Sequence, residues 1–251
     1  MGNEVYTIKP FKDTGNRFLV IARVQDDSLH KEWIKPSKYR NFDLYLEYYG
    51  KGGCNFRNDC DFYSEGKETK WPRIYKIIEK YGEHIFKYDA VWIPDDDIST
   101  DCKTINKMFK IFMKYKLSLA QPALTRDSYY SHEITRQKEK YVLRYTSFVE
   151  VMAPIFSKKD LQKCWKSFSK SQSGWGLSSI WPKLLGYSNN KMAIIDKTPV
   201  KHTRPVRGGT LYKDIQGSAR DELRRICKEY KVKKAFNTYG KVRDKTEMNN
   251  K

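Results

Sequence analysis

Two apolar runs that each end in acids constrain this chain more than any other feature. Phe18-Leu19-Val20-Ile21-Ala22-Arg23-Val24 stops at Gln25-Asp26-Asp27-Ser28, and Tyr88-Asp89-Ala90-Val91-Trp92-Ile93 stops at Pro94-Asp95-Asp96-Asp97. A run without polar alternation is the pattern of a strand covered on both faces. Between them lies a further strand, Phe42 to Leu46. A helix also lies between, opened by Trp71-Pro72 and carried by Ile74, Ile77, Ile78 and Tyr81 at helical spacing. Strands alternating with helices predict an α/β fold, a Rossmann-related mixed sheet flanked by helices in one domain. Such sheets bind ligands beyond the carboxyl ends of their strands. The loops after Val24, Leu46 and Ile93 are therefore the places to look, and each carries or adjoins an acid.

The rest of the chain reads as follows. Ser99 or Thr100 caps a helix whose apolar face is Ile105, Met108, Phe109, Phe112 and Met113. A short strand runs from Leu117 to Gln121, and Thr146 to Met152 reads as another. Ser157 with Asp160 resembles a capping box, opening a helix through Trp165 and Phe168. Trp175 to Leu185 reads as a helix, Met192 to Asp196 as a strand, Asp214 to Tyr230 as an amphipathic helix, and Asn237 onward as a polar tail.

Composition narrows the function classes. Hydrophobic residues at 39 % and aromatics at 14 % mark a folded chain. No apolar run reaches membrane-spanning length, and Met1 to Lys12 lacks a signal-peptide core, so a cytoplasmic protein is expected. Five cysteines at irregular spacing predict free thiols rather than a disulfide framework. A net charge of +19 favours polyanionic partners: nucleic acid, nucleotide diphosphates or an anionic membrane surface.

Asp95-Asp96-Asp97 carries the chemistry. Adjacent carboxylates repel, and a hard divalent cation offsets that cost by preferring carboxylate and phosphate oxygens. In an extended segment alternate side chains share a face, so Asp95 and Asp97 can address one site and Asp96 another. The competing reading is a solvated acidic loop. A second constellation runs from Asp196 to Gly209: His202 is a candidate third metal ligand, and Lys201, Arg204 and Arg207 can stabilise a pyrophosphate. Gly208-Gly209 would let this loop move. A third is Gly174-Trp175-Gly176-Leu177 with Trp181, where glycines admit a close ligand and tryptophan suits a sugar ring; core packing is the rival explanation.

Several stretches together resemble one family. They are Phe18 to Asp27, Phe42 to Gly50, Asp95 to Ile98, Ala120 to Leu124, Phe148 to Pro154, Gly174 to Leu177 and Val200 to Pro205. The family is a domain of unknown function found in plants, bacteria and large algal viruses, and it is similar to GT-A glycosyltransferases. The resemblance spans about residues 16–210. It implies an N-terminal extension (1–15), a GT-A-like domain (16–236) and a tail (237–251). Within the domain it implies a nucleotide-sugar half (about 16–121), an acceptor half (about 122–210) and a C-terminal helix (211–236). Family members often carry an acid after Gly-Trp-Gly-Leu, where Ser178 stands here.

The expected activity is transfer of a sugar from a UDP- or GDP-sugar to a glycan or other hydroxyl acceptor, with inversion. Mn²⁺ or Mg²⁺ would be held by Asp95, Asp97 and His202. Ala22, Arg23, Val24 and Asp43 would hold base and ribose, with Asp95, Lys201, Arg204 and Arg207 at the diphosphate. With Ser178 unable to act as a carboxylate, Glu150 and Asp127 are the candidate bases. The rivals are a catalytically silent nucleotide-sugar-binding protein, motivated by Ser178, and a basic nucleic-acid-binding module, motivated by charge. Acid-rich strand ends argue against the second, so no nucleic-acid partner is expected; peripheral contact with a membrane stays open.

Overall fold

The computed structural model describes residues 5–53, 55–206 and 218–244. Its strands are β1 (Tyr6–Lys9), β2 (Phe18–Val24), β3 (Asp43–Tyr48), β4 (Phe62–Glu65), β5 (Ala90–Trp92), β6 (Ile98–Ser99), β7 (Leu119–Leu124), β8 (Tyr141–Thr146), β9 (Ile155–Ser157), β10 (Met192–His202) and β11 (Thr238–Arg243). Its α-helices are α1 (His30–Trp33), α2 (Lys70–Ile85), α3 (Cys102–Lys114), α4 (Lys158–Cys164), α5 (Leu177–Leu184) and α6 (Ala219–Glu229).

One mixed sheet runs in the order β1-β4-β3-β2-β5-β9-β7-β10-β8-β11, with β6 pairing to β10 off that path. β4, β3, β2 and β5 are mutually parallel, as are β7 and β10. β9 separates the two blocks and runs antiparallel to both β5 and β7. Two antiparallel steps restore direction, so the carboxyl ends of β2, β3, β5, β7 and β10 open on one edge. Cores form on both faces: Ile105, Met108, Phe109 and Phe112 of α3 cover one, and Trp71, Ile74, Ile77 and Ile78 of α2 cover the other. Each such side chain, fully buried, contributes roughly 1.5–3 kcal/mol.

Local chemistry explains most element ends. Ser157 caps α4 by accepting from the Asp160 amide at 3.2 Å, as the capping box predicts. α3 is capped by Asp101, which accepts from the Thr104 amide at 2.8 Å, rather than by Ser99 or Thr100. The cap moves because Ile98 and Ser99 are drawn into β6 against Lys201 and His202. Cys60, Cys102, Cys164 and Cys227 are free thiols.

Three expectations are corrected. Ser147 to Met152 is a loop, not a strand, because its amides are claimed by groups other than a strand backbone ladder: Glu150 N–H donates to the Gln121 side chain of β7 and Ser147 N–H to the Asn237 carbonyl. β10 does not end at Asp196 but continues to His202, turning the basic stretch from Lys197 into strand. The residues read as an N-terminal extension and a polar tail supply edge strands, β1 on β4 and β11 on β8. The stretch from Arg207 to Gly209, the start of the Asp214 helix and the end of the tail lie outside the described residues.

Candidate active site

Asp95, Asp96 and Asp97 sit in the turn after β5, at the carboxyl edge, where three loops clamp their backbone. Asp95 N–H donates to the Met152 carbonyl (2.8 Å), Asp96 C=O accepts from Leu29 N–H (2.8 Å), and Asp97 C=O accepts from Thr203 N–H (3.1 Å) and hydroxyl (2.8 Å). The acids line a cleft of about 490 Å³ with Arg23, Lys70, Glu150, Trp175, His202 and Arg204.

All three acids border the cleft, and the turn gives each side chain its own partner. Asp96 turns to the protein: it accepts from the Gln25 amide (2.9 Å) and from Arg204 (3.0 Å). Burial pushes its carboxyl up to about 7, against the Gln25 amide and the Arg204 charge. Asp97 Oδ2 meets His202 Nε2 at 3.2 Å, and His202 Nδ1 lies 2.8 Å from the Tyr129 carbonyl. Burial opposes the imidazolium, yet the Asp97 hydrogen bond and charge hold His202 up at about 9. Asp95 Oδ1 accepts from Lys70 at 2.6 Å, with its side chain 38 % exposed to the cleft. Lys70 also reaches the carbonyls of Ile93, Val151 and Met152 at 3.0–3.2 Å, so it ties α2 to the acidic turn.

Asp97 Oδ1 is buried without a hydrogen-bond partner among the described residues. An orphaned carboxylate oxygen beside a second carboxylate fits a hard divalent cation. Among the described residues no group of three or more His, Cys, Asp or Glu side chains forms a cage that could hold a metal ion. Magnesium and manganese need no such cage, since one or two carboxylates plus substrate phosphates suffice.

The other expected residues are distributed unevenly. Arg23 lines the cleft, stacks over Tyr49 (4.6 Å) and donates to the Gly66 carbonyl (2.8 Å); burial lowers its guanidinium to about 10, with Glu47 opposing, so it remains charged at neutrality. Arg204 bridges Asp96 (3.0 Å) and Asp27 (2.9 Å) across the cleft. Ala22 and Val24 are wholly buried in a core cluster and do not reach it. Asp43 is at the opposite, amino end of β3, bound to Tyr88 (2.6 Å) and Asn16 (2.7 Å). Lys201 points away from the cleft and pairs with exposed Asp127 at 2.6 Å; alternation along β10 sends Lys201 outward and His202 inward. Asp127 lines neither the cleft nor the cavity beside it.

Glu150 belongs to the cleft and to a second cavity of about 370 Å³ that shares Tyr130, Ser131 and Trp175 with it. Burial raises its carboxyl to about 7, with His202 opposing and Asp95 reinforcing, and its Oε2 lacks a partner among the described residues. Ser178 and Ser179 line the second cavity. Of the two tryptophans in this stretch, Trp175 lines both cavities and Trp181 is core, edge-on to Trp71 at 5.4 Å. Gly174 and Gly176 line the second cavity and are also tightly packed against the core. Both have positive φ (+82° and +98°), and an added Cβ would lie 2.7 Å from Trp71 and 2.9 Å from Ile226. Lys70 and Tyr49 escaped the sequence reading: a lysine before a helix and a tyrosine after a strand carry no signature until the elements meet.

The fold is similar to crystal structures of S. aureus TarS. The TarS 1–349 complex with UDP-GlcNAc superposes with a TM-score of 0.54 at 11 % identity, covering 85 % of this chain and 66 % of that one. TarS 1–349 alone gives 0.52 at 10 % identity over 74 % of this chain, which spans 60 % of that fragment. The UDP complex gives 0.50 at 8 % identity over 84 % and 70 %. No curated protein matches the chain. The architecture is thus GT-A-like, a glycosyltransferase-like mixed α/β domain, as the sequence resemblance implies. The match to the DUF707 profile, described as a protein of unknown function, runs over residues 63–249, most of the length, and the chain belongs to that family.

Proposed function

We propose that this protein is a metal-dependent, inverting GT-A glycosyltransferase that moves a sugar from a nucleotide diphosphate sugar to a hydroxyl acceptor. The observation that carries the reading is Asp97 Oδ1, buried and without a partner among the described residues, beside Asp95 in the cleft at the carboxyl edge. The TarS structures with UDP-GlcNAc and UDP share this architecture, which supports a UDP-sugar donor.

Asp95 and Asp97 would hold Mn²⁺ or Mg²⁺ with donor phosphate oxygens completing the set, while His202, anchored through Nδ1 to the Tyr129 carbonyl, would steady Asp97. The ion supplies charge neutralisation at the departing diphosphate. Arg204 and Arg23 face the same cleft and add fixed positive charge. Lys70 holds the acidic turn against α2 and so sets the position of Asp95. Glu150 takes the acceptor hydroxyl proton: it borders both cavities, has an open oxygen, and its carboxyl near 7 is poised for proton transfer at neutrality. Ser178 lines the acceptor side without acid–base function. The reaction would take place in the cytoplasm.

Calorimetry with UDP-GlcNAc, UDP and GDP, with and without Mn²⁺, tests the assignment. Binding that needs Mn²⁺ and disappears in Asp97→Ala supports it. Affinity equal in the two proteins sinks the metal role.

A further inference from the structure

α3 presents solvent with a row of one chemistry. Lys103, Lys107, Lys110 and Lys114 are exposed, while Ile105, Met108, Phe109 and Phe112 are buried in the core. At the helical repeat the four lysines fall within an arc of about 60° and extend over about 16 Å. The helix contains no acid, and Asp101 is used in capping it. Lys35 and Lys38 widen the row at its start. The Cys102 amide donates to the Lys35 carbonyl at 3.1 Å, and the ammonium groups of Lys38 and Lys103 lie over the exposed Tyr39 ring at 5.0 and 4.9 Å. Lys116 extends it past the end.

None of these seven lysines has a carboxylate within ion-pair distance among the described residues. Cations on other helices are only partly paired, and those without an ion pair among the described residues, such as Lys158 and Lys159 of α4 and Lys228 of α6, do not form a row of this length. Lys76 of α2 meets Glu68, and Arg224 and Arg225 of α6 meet Asp221 and Glu229. Like charges at i, i+4 destabilise a helix. Folding therefore does not account for the row, whereas an external polyanion does.

We propose that this face docks on an anionic lipid bilayer. A flat row of lysine point charges suits several phosphate headgroups at once, and juxtamembrane lysine clusters are attracted to such surfaces. Tyr39, 45 % exposed, offers an amphipathic ring at headgroup level. The apolar face of α3 is spent in the core, so contact is superficial and electrostatic, without insertion. Single-stranded nucleic acid would call for a basic groove with stacking aromatics, and the row is a convex helix face. The inference stands independently of the catalytic reading.

Vesicle co-sedimentation of the full chain decides it. Wild type is expected to bind phosphatidylcholine vesicles containing about 30 mol % phosphatidylserine, to ignore pure phosphatidylcholine, and to release as salt rises. K103Q/K107Q/K110Q/K114Q should bind on the order of 1000-fold more weakly. K158Q/K159Q/K166Q/K228Q lowers the net charge equally but leaves α3 intact, and should bind like wild type. Equal losses in the two quadruple variants, or no binding by wild type, overturn the proposal. So does a short single-stranded RNA whose affinity falls further than the vesicles' in the α3 variant. Circular dichroism melts confirm that both variants are folded.

Discussion

Asp196 and Asp97 are both buried acids flanking the carboxyl-terminal half of the sheet, and they are finished differently. Asp196 is sealed: Arg144 Nε reaches Oδ2 (2.9 Å), Arg144 Nη2 reaches Oδ1 (3.0 Å), and the Lys138 amide donates to Oδ1 (2.8 Å). Arg144 is itself satisfied by the Ile134 and Arg136 carbonyls at 2.9 and 2.7 Å. In the cleft, Asp97 keeps one oxygen without a partner among the described residues, and so does Glu150. A sealed acid contributes to the native fold, and removing it strands a buried cation. An acid with an open oxygen is held at a cost to the free protein, which a ligand can offset. By this criterion the β8–β10 seam is structural and the turn after β5 is the place proposed for function, although both are acidic, buried and cation-paired.

The contrast can be broken by substitution. The largest effect is expected for Glu150→Gln: sugar transfer should fall roughly 10²–10⁴-fold, as for loss of a general base, with donor affinity unchanged. Transfer at the wild-type rate would return Glu150 to the structural class. Next, Asp196→Ala should cost about 3–5 kcal/mol in urea unfolding, because Arg144 is left buried and unpaired. A loss under about 1 kcal/mol would mean the seam is not sealed as described. Asp97→Ala should invert that pattern. Stability should change little, while UDP affinity in Mn²⁺ falls by at least the roughly 10–100-fold seen for weakened metal sites.

The last effect is the pH dependence of stability. Burial raises the folded carboxyl of Glu150 to about 7 from 4.5. The folded state therefore binds more protons than the unfolded state across that window, and Glu150's contribution is present at low pH and lost as pH rises toward 7. Wild type should lose roughly 3 kcal/mol relative to Glu150→Gln between those limits. The rate should move the opposite way, rising through about 7 as the base loses its proton. Parallel pH–stability curves for the two proteins would show that Glu150 is not desolvated.

The sequence by itself determined the parts of this protein that depend on neighbours along the chain. The apolar runs set β2 and β5, helical spacing set α2 and α3, and the strand end placed Asp95, Asp96 and Asp97 at the carboxyl edge. Alternation along β10 also separates His202 from Lys201, a signal legible in hindsight once the strand is known to continue past Asp196. Tertiary structure alone decided which polar groups meet. Lys70 joins Asp95 from 25 positions away in sequence, Arg144 seals Asp196 from 52, and Asp43, an acid on a strand like those predicted to bind, is turned to Tyr88 at the wrong end of its strand. Glu150 reaches the cleft only because Gln121 holds its loop out of the sheet. Burial and periodicity are local in sequence because each residue's face is set by its own element. The pairing of charges is not, because the partner is chosen by how two distant elements pack, and the number of carboxylate oxygens left open is known only after that packing is complete.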